Sequence, residues 1–182
     1  MALEVALIGL GVFLGLAGEQ WRQDRANRQQ AVESLRRFRA EIVANRGAVA
    51  AVKDYHATKL TELNAFFAAD PEARKTMRVP FDGLKPPNFE RTAWELALAT
   101  QSLAYIDADL AFALSRVYSF QSLTTDLGRS VMQSMYMRPP SESDTTFLAA
   151  VRLYYNDLSG LEPGLLAAYD GLLTAIDAAL AD

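Results

Sequence analysis

Residues 5–18 read VALIGLGVFLGLAG, fourteen positions without a charge or a strongly polar side chain. This run limits the fold more than any other feature, because a helix built from it has no face suited to water. At 1.5 Å per residue it covers about 21 Å, and its extension to residues 3–21 covers about 28 Å, close to the ~30 Å of a bilayer's hydrocarbon core. That extension leaves Glu4 and Glu19 at the two headgroup layers. It also sets Trp21 at an interface, with Arg22, Arg25 and Arg28 directly after it, the order of an aromatic belt and its flanking cations. Two other readings compete. A cleavable signal peptide calls for a basic start, and residues 1–4 hold no Lys or Arg. A buried core helix of this length is common, but four glycines and an apolar surface all round are poor helix chemistry in water. The expectation is one membrane-spanning anchor helix over residues 3–21.

Gly11, Gly15 and Gly18 fall at i, i+4 and i+7 on one face of that helix, and the first two make a GxxxG pattern. In lipid, small residues let two helix backbones approach closely; the plainer reading is that glycine is frequent in spanning helices and faces lipid. Glu4 either pairs with a neighbouring subunit or marks the water boundary. Six arginines lie within residues 19–39 and none in residues 1–4. The positive-inside rule therefore puts the remainder of the chain on the cytoplasmic side of a bacterial inner membrane.

Past Trp21 there is no proline before Pro71 and a single glycine, Gly47. Apolar residues recur at steps of three and four, at Leu35, Phe38, Ile42, Val49, Val52, Leu63 and Phe66. This predicts a long juxtamembrane helix over residues 22–69. Two polar residues interrupt its seam, Asn45 and His56, which become the candidate partner or register contacts; Leu60 is expected to take the next buried place instead of Lys59. A seam asparagine fixes register at a cost in stability or sits at a helix edge facing water. A lone histidine on an apolar stripe is more often a satisfied interior residue than a switch or a ligand.

Residues 70–182 are expected to form a helical bundle joined to that helix by an ordered proline-rich loop. Asp70-Pro71-Glu72 has the form of a capped helix start, predicting a short helix over residues 71–77. Residues 78–89 then carry three prolines and a glycine, which forbids regular structure, yet they include Val79, Phe81, Leu84 and Phe89. Further helices are predicted over residues 92–104, with Trp94 and Leu98 inward, and over residues 107–137, capped by Asp107. Two more follow: one from Asp144 to a close at Ser159-Gly160, and one opened by Glu162-Pro163. No run alternates long enough to be a strand. The fold class is all-α.

The chemistry the composition leaves open is narrow. Of 182 residues none is cysteine and one is histidine, which excludes thiolate chemistry and the His-rich zinc sites. Glu-x-x-His pairs, P-loops and nucleophile elbows are missing as well. No cofactor is expected, and the chain is not expected to be an enzyme. The sequence pI of about 5.1 argues against nucleic acid. Residues 1–50 carry a net charge of +2 and residues 100–182 one of −6, a polarity that suits a body held on an anionic leaflet as well as an ordinary solvated surface.

The glycine-containing apolar helix, Trp21, the arginine-spaced turns and the series Leu35-x-x-Phe38-x-x-Glu41-Ile42-x-x-Asn45 together resemble a bacterial family of single-pass membrane proteins of unassigned activity. Thr92-Ala93-Trp94-Glu95, with Leu114 and Tyr118 downstream, is similar to the second half of that family. The chain departs from it at Glu19 and Gln20, where the family often has asparagine before the tryptophan. The resemblance implies an anchor and a helical body, and no chemistry. Two functions are expected on these grounds. The first is an accessory or scaffolding subunit in contact with membrane lipid that binds another membrane protein or its own copies. The alternative is a single-pass sensor holding a small ligand in its helices.

Overall fold

The computed structural model describes residues 2–139, 141 and 143–181, and for residues 2–9 and 12 the backbone alone. All regular structure among the described residues is helical. The helices are α1 (Ala2–Ala68), α2 (Pro71–Arg74), α3 (Thr92–Ala99), α4 (Ala108–Tyr136) and α5 (Asp144–Ala181), with a 3-10 turn at Ser102–Tyr105.

α1 is 67 residues long without interruption, about 100 Å at the helical rise. It has two regimes. From Leu10 to Ala26 every described side chain is exposed, and burial starts in earnest at Ala31. Beyond that point Leu35, Phe38, Ile42, Val49, Leu63 and Phe66 are buried, the 3–4 spacing that gives one helix face to a core. The seam position near residue 60 goes to Lys59, which is buried while Leu60 is only partly so. The expected substitution by Leu60 therefore fails. Lys59 lays its apolar stem along the core and carries its ammonium out to acceptors at the edge.

α5 runs antiparallel to α1, as the pairs Arg39–Asp177, Arg46–Asp170 and His56–Glu162 show. α4 lies against α5 with the opposite sense, through Gln121–Tyr169 and the approach of Gly128 to Tyr154. One apolar core joins Phe38 and Ile42 of α1, Leu114 and Val117 of α4, and Leu165, Leu172 and Ile176 of α5. A second, around Leu63, Leu84, Val151 and Leu158, closes the far end.

α5 is a single helix, so the break expected at residues 159–162 does not occur. Pro163 lies inside it, and its missing N–H costs the ladder one bond. Leu158 and Leu165 on either side are fully buried, and their packing keeps the two halves in one phase. α5 is also long and apolar enough to cross a membrane by length and composition. Its apolar face is nonetheless used inside the chain, since Leu158, Leu165, Tyr169, Leu172 and Ile176 are all buried.

Two capping predictions match the structure. Asp70 accepts from the N–H groups of Glu72 and Ala73, and Asp107 from those of Asp109 and Leu110. Two lengths differ. α2 stops at Arg74, and α3 stops at Ala99 because Gln101 adopts a left-handed conformation, φ 55°. With α3 so short, Ala97 turns inward and Leu98 is exposed.

The exposed Arg39–Asp177 and Arg46–Asp170 pairs, 2.5 and 2.6 Å, clamp α1 to α5. The hydrogen bonds from the guanidiniums hold both carboxyl pKa values below the ordinary 3.8. A depressed folded pKa contributes stability above the unfolded value and loses it as pH falls through the folded one. The thermal unfolding temperature should therefore drop as pH falls below about 4. An Arg39→Ala/Arg46→Ala variant should show a shallower drop; an unchanged acid limb in that variant would remove the pairs from the account.

Candidate functional site

The polar side chains on the inner face of α1 converge on one object, the segment of residues 78–91, which runs antiparallel along the helix as a strap. Lys59 Nζ donates to the carbonyl of Pro80 at 3.0 Å. Tyr55 and Tyr155 both donate to the carbonyl of Gly83, at 2.7 and 3.1 Å. His56 Nε2 faces the carbonyls of Leu84 and Lys85, at 3.0 and 3.1 Å. Asn45 closes a two-bond pair with Glu90, accepting its N–H at 2.7 Å and donating to its carbonyl at 2.8 Å. Every one of these bonds goes to strap backbone, which the prolines Pro80, Pro86 and Pro87 keep from pairing with itself. Gly83 takes φ 91°, a region open to glycine. Lys85 takes φ 48°; its carbonyl accepts from His56 Nε2, and its ammonium lies 4.0 Å over the Tyr55 ring.

The core of this arrangement is His56 with Glu162, Nδ1 to Oε1 at 2.6 Å, both side chains within 2% of full burial. The neighbours decide the ring's protonation. Nε2 meets only carbonyl oxygens, which accept, so it carries a hydrogen. Both ring nitrogens are thereby engaged, and Ser159, the hydroxyl in the small adjoining cavity, donates instead to the carbonyl of Asn156. His56 has no free nitrogen with which to act as a base on it. Burial, with the Glu162 carboxylate nearby, pushes the Tyr154 phenol up to about 12.

Glu41 is a second buried carboxylate, 5% exposed. Its Oε2 accepts the N–H of Ala93 at 2.7 Å, supplying from another helix the cap that Arg91 does not give α3. Its Oε1 accepts the Tyr118 hydroxyl at 2.5 Å. Burial first, and that bond second, raise the Tyr118 pKa far above its usual value. Trp94 stacks on Tyr118 at 4.9 Å. Among the described residues no group of three His, Asp or Glu side chains is placed to hold a metal.

The structure thus places Asn45 and His56 inside the chain, 0% and 1% exposed, with their polar atoms occupied. There they hold the strap backbone. Sequence reasoning missed Glu41, Lys59 and Glu162 as their companions. The signal for Glu162 is its register: Leu158, Glu162, Leu165, Tyr169, Leu172 and Ile176 form one stripe at steps of three and four.

The residues assigned to the anchor lie elsewhere, on the protruding part of α1. Cβ atoms added at Gly11, Gly15 and Gly18 would meet nothing within 4 Å. Arg22 pairs with Glu19 at 2.8 Å, Arg25 stands 5.4 Å over the Trp21 ring, and Arg28 is exposed. The Glu4 side chain lies outside the described residues. No protein-family model, curated protein or solved structure matches the chain, so the family resemblance rests on the residues quoted for it alone.

Proposed function

We propose that the chain is a membrane-anchored helical accessory or scaffolding subunit, held by residues 3–21 and presenting its folded part to another membrane protein or to its own copies. The observation that carries this reading is the protruding start of α1. Leu10, Phe13, Leu14, Leu16 and Trp21 are each more than half exposed, on a helix that continues into the folded part without a break. A contiguous apolar surface of this kind is rare on a monomer in water and marks a partner or a membrane. Between the two, lipid accounts for apolar residues on every side, and the Trp21–Arg28 stretch supplies the interface. α5 is the poorer anchor, with its apolar face in the core and Asp170 and Asp177 tied to α1.

In this reading the folded part lies on the cytoplasmic side of a bacterial inner membrane, and Gly11, Gly15 and Gly18 offer a face for close helix packing. The full chain should sediment with membranes and be released by detergent. Leu10→Asp/Leu14→Arg should move it to the supernatant, since a charge at the centre of a spanning helix costs about 2.5–3.5 kcal/mol. Wild-type protein in the supernatant without detergent would overturn the anchor. Gly11→Leu/Gly15→Leu should weaken self-association or co-purification without altering the folded part. The chain has no cysteine of its own, so labelling of Ser141→Cys from each side reports orientation.

A further inference from the structure

The arginines that follow Trp21 are not equivalent. Arg22 is tied to both carboxylate oxygens of Glu19 at 2.8 Å, so its charge is matched within the helix. Arg25 and Arg28 are paired with no carboxylate among the described residues, and Asp24, the acid beside them in the chain, forms no ion pair with either. Arg25 leans instead over the Trp21 ring, 5.4 Å from its centroid. Trp21, Arg25 and Arg28 stand at i, i+4 and i+7 of the unbroken α1, which gathers them on one face. The Glu19–Arg22 pair is turned roughly a third of a turn away.

With the anchor at residues 3–21, Trp21 marks the edge of the hydrocarbon core, and the headgroup layer beyond it is about 5–7 Å thick. Arg25 lies about 6 Å further along the helix and Arg28 about 10 Å. Both reach that layer, because a long cationic side chain bends back toward it. The layer presents phosphate diesters, which guanidinium groups grip through paired hydrogen bonds. A zwitterionic headgroup carries its own ammonium beside the phosphate, whereas an anionic one leaves the phosphate to be matched by the protein. We propose that Trp21, Arg25 and Arg28 form a site for an anionic phospholipid of the adjoining leaflet, its phosphate between the two guanidiniums and its glycerol end against the indole. The site rests on the anchor proposed above and names the lipid which that anchor selects.

The test places the full chain in nanodiscs of phosphatidylcholine and phosphatidylglycerol in equal parts. Lipids that stay on it through gentle detergent extraction are counted by native mass spectrometry. Phosphatidylglycerol should be enriched on the chain by about fivefold or more over the nanodisc, since each cation near an anionic surface contributes about fivefold. Arg25→Gln/Arg28→Gln should still enter the nanodisc and should carry the two lipids at the nanodisc's own ratio. Arg36 and Arg37 are exposed as well, but Arg36 stands about 12 Å further from the bilayer than Arg28, beyond the screening length of ~8–10 Å. Arg36→Gln/Arg37→Gln removes the same two charges and should keep the enrichment. Enrichment missing from the wild type, retained in Arg25→Gln/Arg28→Gln, or lost equally in Arg36→Gln/Arg37→Gln overturns the lipid site and leaves the anchor standing. A wild-type chain that fails to enter the nanodiscs overturns both.

Discussion

His56→Ala should lower the free energy of unfolding by about 3–5 kcal/mol, the range for removing one partner of a buried ion pair. The loss is large because three groups are orphaned at once. Glu162 is left buried without its donor, and the carbonyls of Leu84 and Lys85 lose theirs. Glu162→Gln should cost less, since its amide N–H can donate to Nδ1 of a ring that keeps its hydrogen on Nε2. The measurement is chemical denaturation of the full chain in mild detergent, followed by near-ultraviolet circular dichroism, to which Tyr55, Tyr154 and Tyr155 around the ring contribute. Proteolysis within residues 78–91 should accelerate in parallel, because the strap loses its central attachment. A loss below about 1 kcal/mol, the worth of one ordinary hydrogen bond, would show that the pair does not hold these elements together.

Phe38→Ala is the second large effect expected, again about 3–5 kcal/mol, for an aromatic deleted from a closed core. Phe38 is fully buried and packs on both Trp94 and Tyr118, at ring distances of 6.4 and 6.1 Å. Its loss undermines α3 and α4 where they meet α1. The proposed anchor lies more than fifteen residues upstream and should not notice, so the variant should stay with the membrane pellet while its folded part loosens. Release of this variant into the supernatant would mean that membrane attachment depends on the folded part.

Much of the helical scaffold was legible in local chemistry. The seam of α1 is a periodicity that needs no tertiary context, and Asp70 and Asp107 cap by reaching backbone two and three residues away. What was hidden depended on distance. Ser159, Gly160 and Pro163 are stop signals, and they were overruled by Leu158 and Leu165 packing into cores that no local window contains. The end of α3 was hidden for another reason: Gln101 takes a left-handed turn that glycine or asparagine advertises and glutamine does not. For the buried polar set, His56 was visible as an oddity on an apolar stripe, but its partner stands 106 positions away. Directly before Pro163, Glu162 reads as an acid opening a helix. Its in-phase position on the buried stripe of α5 becomes meaningful once α5 is known to be continuous.

The unbroken ladder of α1 has a mechanical corollary. With no swivel between residue 10 and residue 68, whatever grips the protruding end sets the bearing of everything above it. On a rod of about 100 Å, a lean of ten degrees at the base sweeps the far tip through about 17 Å. Small rotations imposed below are thereby magnified into large displacements of the strap and of α5, and a load on the folded part returns as torque at the base.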